Sequence, residues 1–223
     1  MSYILNIETA TRNCSVAVAK NGEVLVCREI AEQNSSHAEK LHVFIDAVLN
    51  QLNISFSDLA AVAVSKGPGS YTGLRIGVSA AKGICYALNI PLIAVDTLQV
   101  LALQANIPEG ILVPMIDARR MEVYSAVFNP AHEMIRGVEA QIITSESFSD
   151  ETQKLYVIGD CQEKVQTMLS RSNVAFLNDI VFPSAKEMAP ISFSKFQQGV
   201  FEDVAYFEPF YLKDFLTAPP KKQ

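Results

Sequence analysis

A glycine-rich loop lies at positions 67–77 and has the sequence GPGSYTGLRIG. Of all stretches of this chain, it has the residue types and spacing that point most clearly to a chemical function. It follows an apolar run at 59–65 that is typical of a buried strand, and it leads into a helix predicted over 72–88. Glycines allow a backbone to approach a phosphate or another backbone closely. The residues that define this loop are Gly67, Pro68, Gly69, Ser70, Thr72, Gly73 and Arg75.

Two phosphate-binding motifs can be compared with this loop. It is not a Walker A motif, because the Gly-Lys-Ser/Thr ending is absent. A dinucleotide-binding oxidoreductase is an alternative, since Gly67, Gly69 and Gly73 lie between a strand and a helix, and Asp96 ends the next strand about 20 residues later. The glycine spacing is one residue too long for that motif, and Asp96 fits a helix N-cap equally well.

The helix after the loop has one face that is almost without side chains. Gly73, Gly77 and Ala81 are spaced four apart, with Ala80 and Gly83 beside them. Each glycine inside a helix costs about 0.5–1 kcal/mol relative to alanine, so this face needs a structural or functional reason. Two explanations are open at this point: close packing on the chain's own sheet, or a subunit interface.

The histidines do not predict a metal site. His37 and His42 are five residues apart, which places them about 140° apart around a helix, so they cannot bind one metal from one helical face. His132 falls in a predicted turn without neighbouring ligands, and a solvated loop histidine is expected there. No Ser-His-Asp set or zinc-ligand spacing supports a protease.

Composition and charge restrict the class of protein further. The chain has 223 residues, only 18 Lys and Arg, a formal net charge of −6 and a pI of about 5.1. This charge is unlike that of a protein that binds nucleic acid without a partner protein. No apolar run reaches the ~18 residues of a membrane-spanning helix, and the N-terminus has no leader pattern. The four cysteines show no CxxC pair, so we expect reduced, mostly buried thiols in a cytoplasmic protein: Cys14, Cys27, Cys85 and Cys161.

The order of predicted elements is readable in the first half of the chain. Strands are predicted at 3–9, 14–20 and 23–30, and Asn21-Gly22 forms the hairpin turn that pairs Val18 with Leu25. Residues 36–39 match a capping box that opens an amphipathic helix to Leu52. The strand at 59–65, the second helix and a strand at 90–95 complete a βββαβα unit.

A second unit repeats the opening of the first at a constant offset of 109 residues. Ile7 and Glu8 correspond to Ile116 and Asp117 at the ends of two predicted strands. The predicted organisation is therefore an α/β fold of duplicated βββαβα units, with domains at 1–106 and 107–216 and a tail at 217–223.

The chain closely resembles the TsaB (YeaZ) family in five segments that span nearly its whole length. They are the opening at 4–18, the SHAEKL segment at 36–41, the glycine loop at 67–77, DARRMEVY at 117–124 and PFYLK at 209–213. The resemblance implies the actin-like, sugar-kinase-like ATPase (ASKHA) superfold. It also implies a role in making N6-threonylcarbamoyladenosine (t6A) at position 37 of tRNAs that read codons beginning with A.

The resemblance also implies partners. A catalytic TsaD-like paralogue transfers the threonylcarbamoyl group, a TsaE-like ATPase joins the complex, and tRNA is bound through the assembly. This chain is then a non-catalytic dimerisation subunit, and the isolated chain is either a homodimer or a monomer. ATP and metal are expected in the partner subunits and no cofactor in this one. An M22-type glycoprotease-like protein is a further alternative, because the superfamily has carried that label.

Two sets of residues carry these expectations. The turn after the first strand, with Glu8, Thr9 and Thr11, lacks the glycines and short acid normal for phosphate binding in this superfold, so it is a degenerate nucleotide turn. The two helices of the first unit are predicted to form the partner interface, through Leu41, Ile45, Gly73, Gly77, Ala80 and Ala81.

Overall fold

The structure, a computed structural model, describes residues 2–32 and 37–213. The strands are β1 (Tyr3–Glu8), β2 (Cys14–Lys20), β3 (Glu23–Ile30), β4 (Leu59–Gly67), β5 (Leu92–Asp96), β6 (Ile111–Asp117), β7 (Glu122–Phe128), β8 (Met134–Ile142), β9 (Leu155–Gly159) and β10 (Val174–Phe176). The helices are α1 (His37–Leu52), α2 (Tyr71–Leu88), α3 (Thr97–Ala102), α4 (Gln162–Gln166) and α5 (Met188–Gln198). A short 3-10 turn, Phe56–Asp58, precedes β4.

Two five-stranded sheets share one topology. The first has the order β3-β2-β1-β4-β5 and the second the order β10-β9-β6-β7-β8. In each, the opening strand pairs antiparallel with the strand that follows it and parallel with the later one. The duplication predicted from the 109-residue offset is therefore confirmed in the order and direction of the strands. The first unit has the βββαβα order, whereas in the second unit, as the structure describes it, β8 leads to β9 through turns without a helix. The domain boundary near residue 106 stays a prediction.

Helices cover both faces of the first sheet. Helices α1 and α2 pack on one face, where Leu41, Ile45 and Val78 join the buried leucine and isoleucine of β1 and the valines of β2 and β4. Helix α5 packs on the other face through Met188 and contacts β1, β2 and β5. A strand whose two faces are both covered must be apolar throughout, and β2 and β4 show this pattern.

The first hairpin departs from its predicted register. Lys20 pairs with Glu23 as a two-residue Asn-Gly turn requires, but Val18 pairs with Val26 rather than with Leu25. A bulge between Val18 and Ala19 causes the shift, and Leu25 is 44% exposed. Counting from the turn cannot detect a bulge, because the extra residue changes no local turn signal.

Two predictions concern residues outside the described ranges. The predicted capping box includes Ser36, and the predicted tail covers 217–223; both lie outside the described residues. Among the described residues, no helix is long and apolar enough to cross a membrane.

Candidate functional site

A cleft of about 700 Å³ lies where the carboxyl ends of β1 and β6 face each other. This edge is where ligands bind in many α/β folds. Its walls come from the β1–β2 turn, the start of α2, the β6–β7 turn and the segment at 210–213. The lining residues are Ala10, Thr11, Arg12, Glu32, His37, Gly69, Ser70, Tyr71, Thr72, Ile116, Asp117, Ala118, Arg119, Arg120, Glu122, Tyr124, Asp160, Phe210, Tyr211, Leu212 and Lys213.

The glycine loop packs on the β1–β2 turn of the same chain. The amide of Ser70 donates to the carbonyl of Ala10 at 2.7 Å, and its hydroxyl accepts from the amide of Gly73 as the N-cap of α2. A Cβ atom at Gly69 would overlap the Ala10 carbonyl, and one at Gly73 would overlap the Thr9 carbonyl. The close approach that the glycines predicted is thus an approach of backbone to backbone.

Glu8 lies at the centre of this turn and is fully buried. Its Oε1 accepts from the amide of Ala10 at 2.6 Å, whereas its Oε2 and the Oγ of Ser65 have no hydrogen-bond partner. Burial raises the pKa of Glu8 to about 7, against the lowering effect of the Ala10 amide.

Several other polar atoms of the β1–β2 turn make hydrogen bonds or close polar contacts within the chain. Thr9 Oγ1 donates to the carbonyl of Gly73 at 2.8 Å, Thr11 Oγ1 accepts from the amide of Asn13 at 3.4 Å, and His37 Nε2 contacts the carbonyl of Thr11 at 2.7 Å. Thr9 is buried and Thr11 is 6% exposed. The Thr9 hydroxyl and the amides of Ala10 and Asn13 therefore have partners within the chain, which leaves fewer donors for a nucleotide phosphate.

The β6–β7 turn presents the equivalent acid in a different state. Asp117 is exposed and pairs with Lys164 Nζ at 2.7 Å, and its amide donates to Asp160 Oδ1 at 2.8 Å. Burial and the nearby Asp117 charge raise the pKa of Asp160. Across the turn, Lys213 pairs with Glu122. Each acid of this turn therefore has a cation or an amide beside it.

The histidines do not converge on a metal. His37 is half-buried against the first turn, His42 is exposed, and no group of three His, Cys, Asp or Glu among the described residues has metal-binding geometry. The expectation of a solvated His132 was wrong: it is half-buried, and its Nε2 contacts the Ala105 carbonyl at 2.8 Å.

The cysteines and Asp96 have structural surroundings. All four cysteines are free thiols and three of them are buried, with Cys27 half-buried, as expected. Asp96 pairs with Lys66 at 3.2 Å instead of facing the glycine loop as a free acid. A Cβ at Gly67, where φ is +115°, would lie 2.7 Å from the Phe210 carbonyl. The chain's own backbone therefore lies against Gly67, whereas Gly69 and Ser70 line the cleft.

The small-residue face of α2 is turned inward. Gly77 lies against Thr9 Oγ1, and Gly77 and Ala81 are buried, as are Leu41 and Ile45 of α1. Five of the six residues predicted for the partner interface therefore belong to the subunit's own core, and only Ala80 is half-buried. The interface on this helix pair stays a prediction, and of the six predicted residues only Ala80 is accessible to it.

Two further loop residues have exposed positions. Thr72 is exposed at the start of α2, and the guanidinium of Arg75 donates to the Tyr71 hydroxyl at 3.0 Å. Tyr71 also stacks on Tyr211, with ring centroids 4.9 Å apart. The loop and the segment after residue 203 thus form one surface, since Lys82 Nζ donates to the carbonyls of Ala205 and Phe207.

Fold and cleft together define a member of the actin-like, sugar-kinase-like superfold. The ethanolamine utilization protein EutJ from Carboxydothermus hydrogenoformans has a TM-score of 0.52 at 12% identity, over 88% of this chain and 90% of that one, a likeness of fold alone. YeaZ from Pseudomonas aeruginosa has a TM-score of 0.82 at 24% identity, over 95% of this chain and 100% of that one.

The sequence comparisons are more specific. The family model for TsaD, tRNA N6-adenosine threonylcarbamoyltransferase, matches residues 25–217. The tRNA threonylcarbamoyladenosine biosynthesis protein TsaB of Escherichia coli (strain K12) is 31% identical over 220 residues, which cover 95% of this chain and 94% of that relative. The chain therefore belongs to the TsaB (YeaZ) family, within the wider TsaD-related family.

Sequence reasoning missed part of the cleft. Lys164, Asp160 and Lys213 are separated along the chain and meet only at the β6–β7 turn. The repeat offset placed Asp117 opposite Glu8, which was a usable signal for this second turn. No pattern in the sequence indicated which cations would pair with its acids.

Proposed function

We propose that this chain is the non-catalytic subunit of a tRNA threonylcarbamoyltransferase. It takes part in t6A synthesis, and it acts as the dimerisation scaffold for a TsaD-like catalytic paralogue that modifies N6 of adenosine 37 in tRNAs reading ANN codons. A TsaE-like ATPase joins the assembly, and ATP and metal belong to the partner subunits.

The observation that carries this proposal is the relation between the family match and the first turn. The match to a protein named for threonylcarbamoyladenosine biosynthesis extends over 95% of the chain. Yet the turn where this superfold binds phosphate carries no glycine here, and its Thr9 and Ala10 carbonyls are in close contact with Gly73, Gly69 and Ser70 of the same chain. A chain that keeps the fold but packs its phosphate turn in this way is suited to support a partner's chemistry.

The partner surface on the first unit is formed by what α1 and α2 leave exposed. Ile76, Ala80 and Ile84 are half-buried and spaced four apart, so they form a continuous apolar stripe along α2. Tyr86, at 85% exposure, lies near the end of the same helix. Tyrosine is enriched at protein interfaces, but Tyr86 lies about 160° around the helix from Ile84, so it is on a different face from the stripe.

The function is tested by depletion and rescue. Depleting the protein in its source cell should erase t6A from bulk tRNA, measured by nucleoside mass spectrometry, and re-expressing the intact chain should restore it. Unchanged t6A after complete depletion would contradict the assignment. The purified chain alone should hydrolyse ATP no faster than background and hold no stoichiometric metal.

The interface is tested with one alanine on the stripe and one elsewhere. Ala80→Glu places a charge in the half-buried stripe and should abolish binding to the TsaD-like partner while circular dichroism stays native, because an unpaired buried charge is strongly unfavourable at an interface. Ala131→Glu makes the same change at an exposed position in the β7–β8 turn and should bind normally. Full binding by Ala80→Glu would exclude this surface.

A further inference from the structure

The β6–β7 turn has an unusual backbone for its residues. Arg119 and Arg120 have φ angles of 65° and 54°, in the left-handed region. In the β2–β3 turn of the first sheet, Asn21 and Gly22 also have positive φ angles. Asparagine and glycine are the residue types suited to this conformation. Two consecutive arginines there are strained, and strain of this kind concentrates at functional sites.

The two arginines are also free of acidic partners. Both are exposed at the cleft, and across the part of the chain that the structure describes neither guanidinium has an ion pair or a hydrogen bond. The acids nearest in sequence are engaged elsewhere, since Asp117 pairs with Lys164 and Glu122 pairs with Lys213. The turn therefore presents positive charge that the chain itself does not neutralise.

We infer that this turn binds the phosphodiester backbone of the tRNA substrate in the assembled complex, an inference that rests on the proposed function. Arg119 and Arg120 supply the contact from an exposed turn at the cleft. Arg12 on the opposite wall lies over the Phe182 ring and beside the Asp160 charge, so it is already engaged within the chain. In the β1–β2 turn the Thr9 hydroxyl and the amides of Ala10 and Asn13 are bonded within the chain. This arrangement favours an extended polyanion over a free nucleotide.

The chain's net charge explains why the contact belongs to the assembly. At −6 overall, the isolated chain repels RNA, and two local arginines do not overcome this at physiological salt. Once a partner has positioned the tRNA, the same arginines add affinity that falls as salt rises.

The test uses the complete reconstituted complex and unmodified tRNA. Arg119→Gly with Arg120→Gly keeps the positive-φ turn and removes both charges. The slope of log binding constant against log salt should become shallower by about two, since each lost phosphate contact removes about one. Lys20→Ala with Lys154→Ala is the matched control. It removes the same charge at the opposite ends of the two sheets, beside Tyr3 of β1 and just before β9, and should leave the slope unchanged.

The outcomes separate this inference from its alternatives. A native or higher melting temperature with a shallower slope supports RNA contact, because a merely structural turn would tolerate glycine without loss of binding. Equal slopes for the two variants overturn it. Weakened ATP binding with unchanged tRNA binding assigns the arginines to a free nucleotide, and lost partner binding assigns them to an interface; either result also overturns it. If the wild-type chain itself fails to restore t6A, the proposed function fails instead.

Discussion

Glu8 should make the stability of this protein depend on pH in a way that one substitution removes. Its carboxyl is fully buried, with one oxygen bonded to the Ala10 amide and the other, beside the unpaired Ser65 hydroxyl, without a partner. Burial raises its pKa from 4.5 to about 7. The folded state therefore holds a proton between those two values that the unfolded state releases.

The sign and size of the effect follow from this difference. Below pH 4.5 the Glu8 carboxyl is protonated in both the folded and the unfolded state, so it does not change the stability. As pH rises toward 7, the folded protein must keep the proton or bury a charge, so its stability falls. Above pH 7 this loss of stability is complete. A pKa difference from 4.5 to about 7 corresponds to about 3 kcal/mol. For a chain of this size that is roughly 6–12 °C in melting temperature.

Glu8→Gln tests this in a matched pair. The amide oxygen of glutamine can still accept from Ala10, and its nitrogen can donate to Ser65, so the variant should be the more stable protein at pH 8 by about 3 kcal/mol and close to wild type near pH 4.5. Urea unfolding at half-unit intervals between pH 4.5 and 8 gives the difference curve, from which other titrating groups such as Asp160 cancel. Parallel curves for the two proteins would refute the buried-acid explanation.

Four further substitutions test the packing of the first unit. Gly73→Ala should destabilise the fold by about 1–3 kcal/mol, because its Cβ would overlap the Thr9 carbonyl. Gly83→Ala is on the same helix, where a Cβ has nothing within 4 Å, and it should stabilise the fold by roughly 0.5–1 kcal/mol. Equal urea midpoints for the two variants would contradict this packing. Leu41→Ala, in the fully buried core, should cost about 2–5 kcal/mol by the same assay. Lys82→Ala removes the ammonium that bonds two carbonyls after residue 203 and should speed limited proteolysis there; an unchanged cleavage rate would show that apolar packing alone holds the segment.

The sequence by itself determined most elements of the first unit, the repeat of its opening strands and the family. Apolar runs with helical or strand periodicity placed the strands of the first sheet and both its long helices, because burial imposes those periods wherever an element is covered. The 109-residue offset predicted the second sheet, since two copies of one topology must repeat the same order of buried strands. The absence of glycine in the β1–β2 turn was a local fact, visible without coordinates.

Only the tertiary structure decided what those elements face. The glycines of α2 were equally consistent with a partner and with the chain's own sheet, because a missing side chain records close contact but not its source. The bulge that moved Val18 from Leu25 to Val26 left no mark in the residue pattern. The charges of the cleft depended on Lys164 and Lys213, which reach the acids of the β6–β7 turn from 42 or more positions away in the chain. Such contacts are set by how the two sheets and the last segment meet, and no local periodicity encodes that meeting.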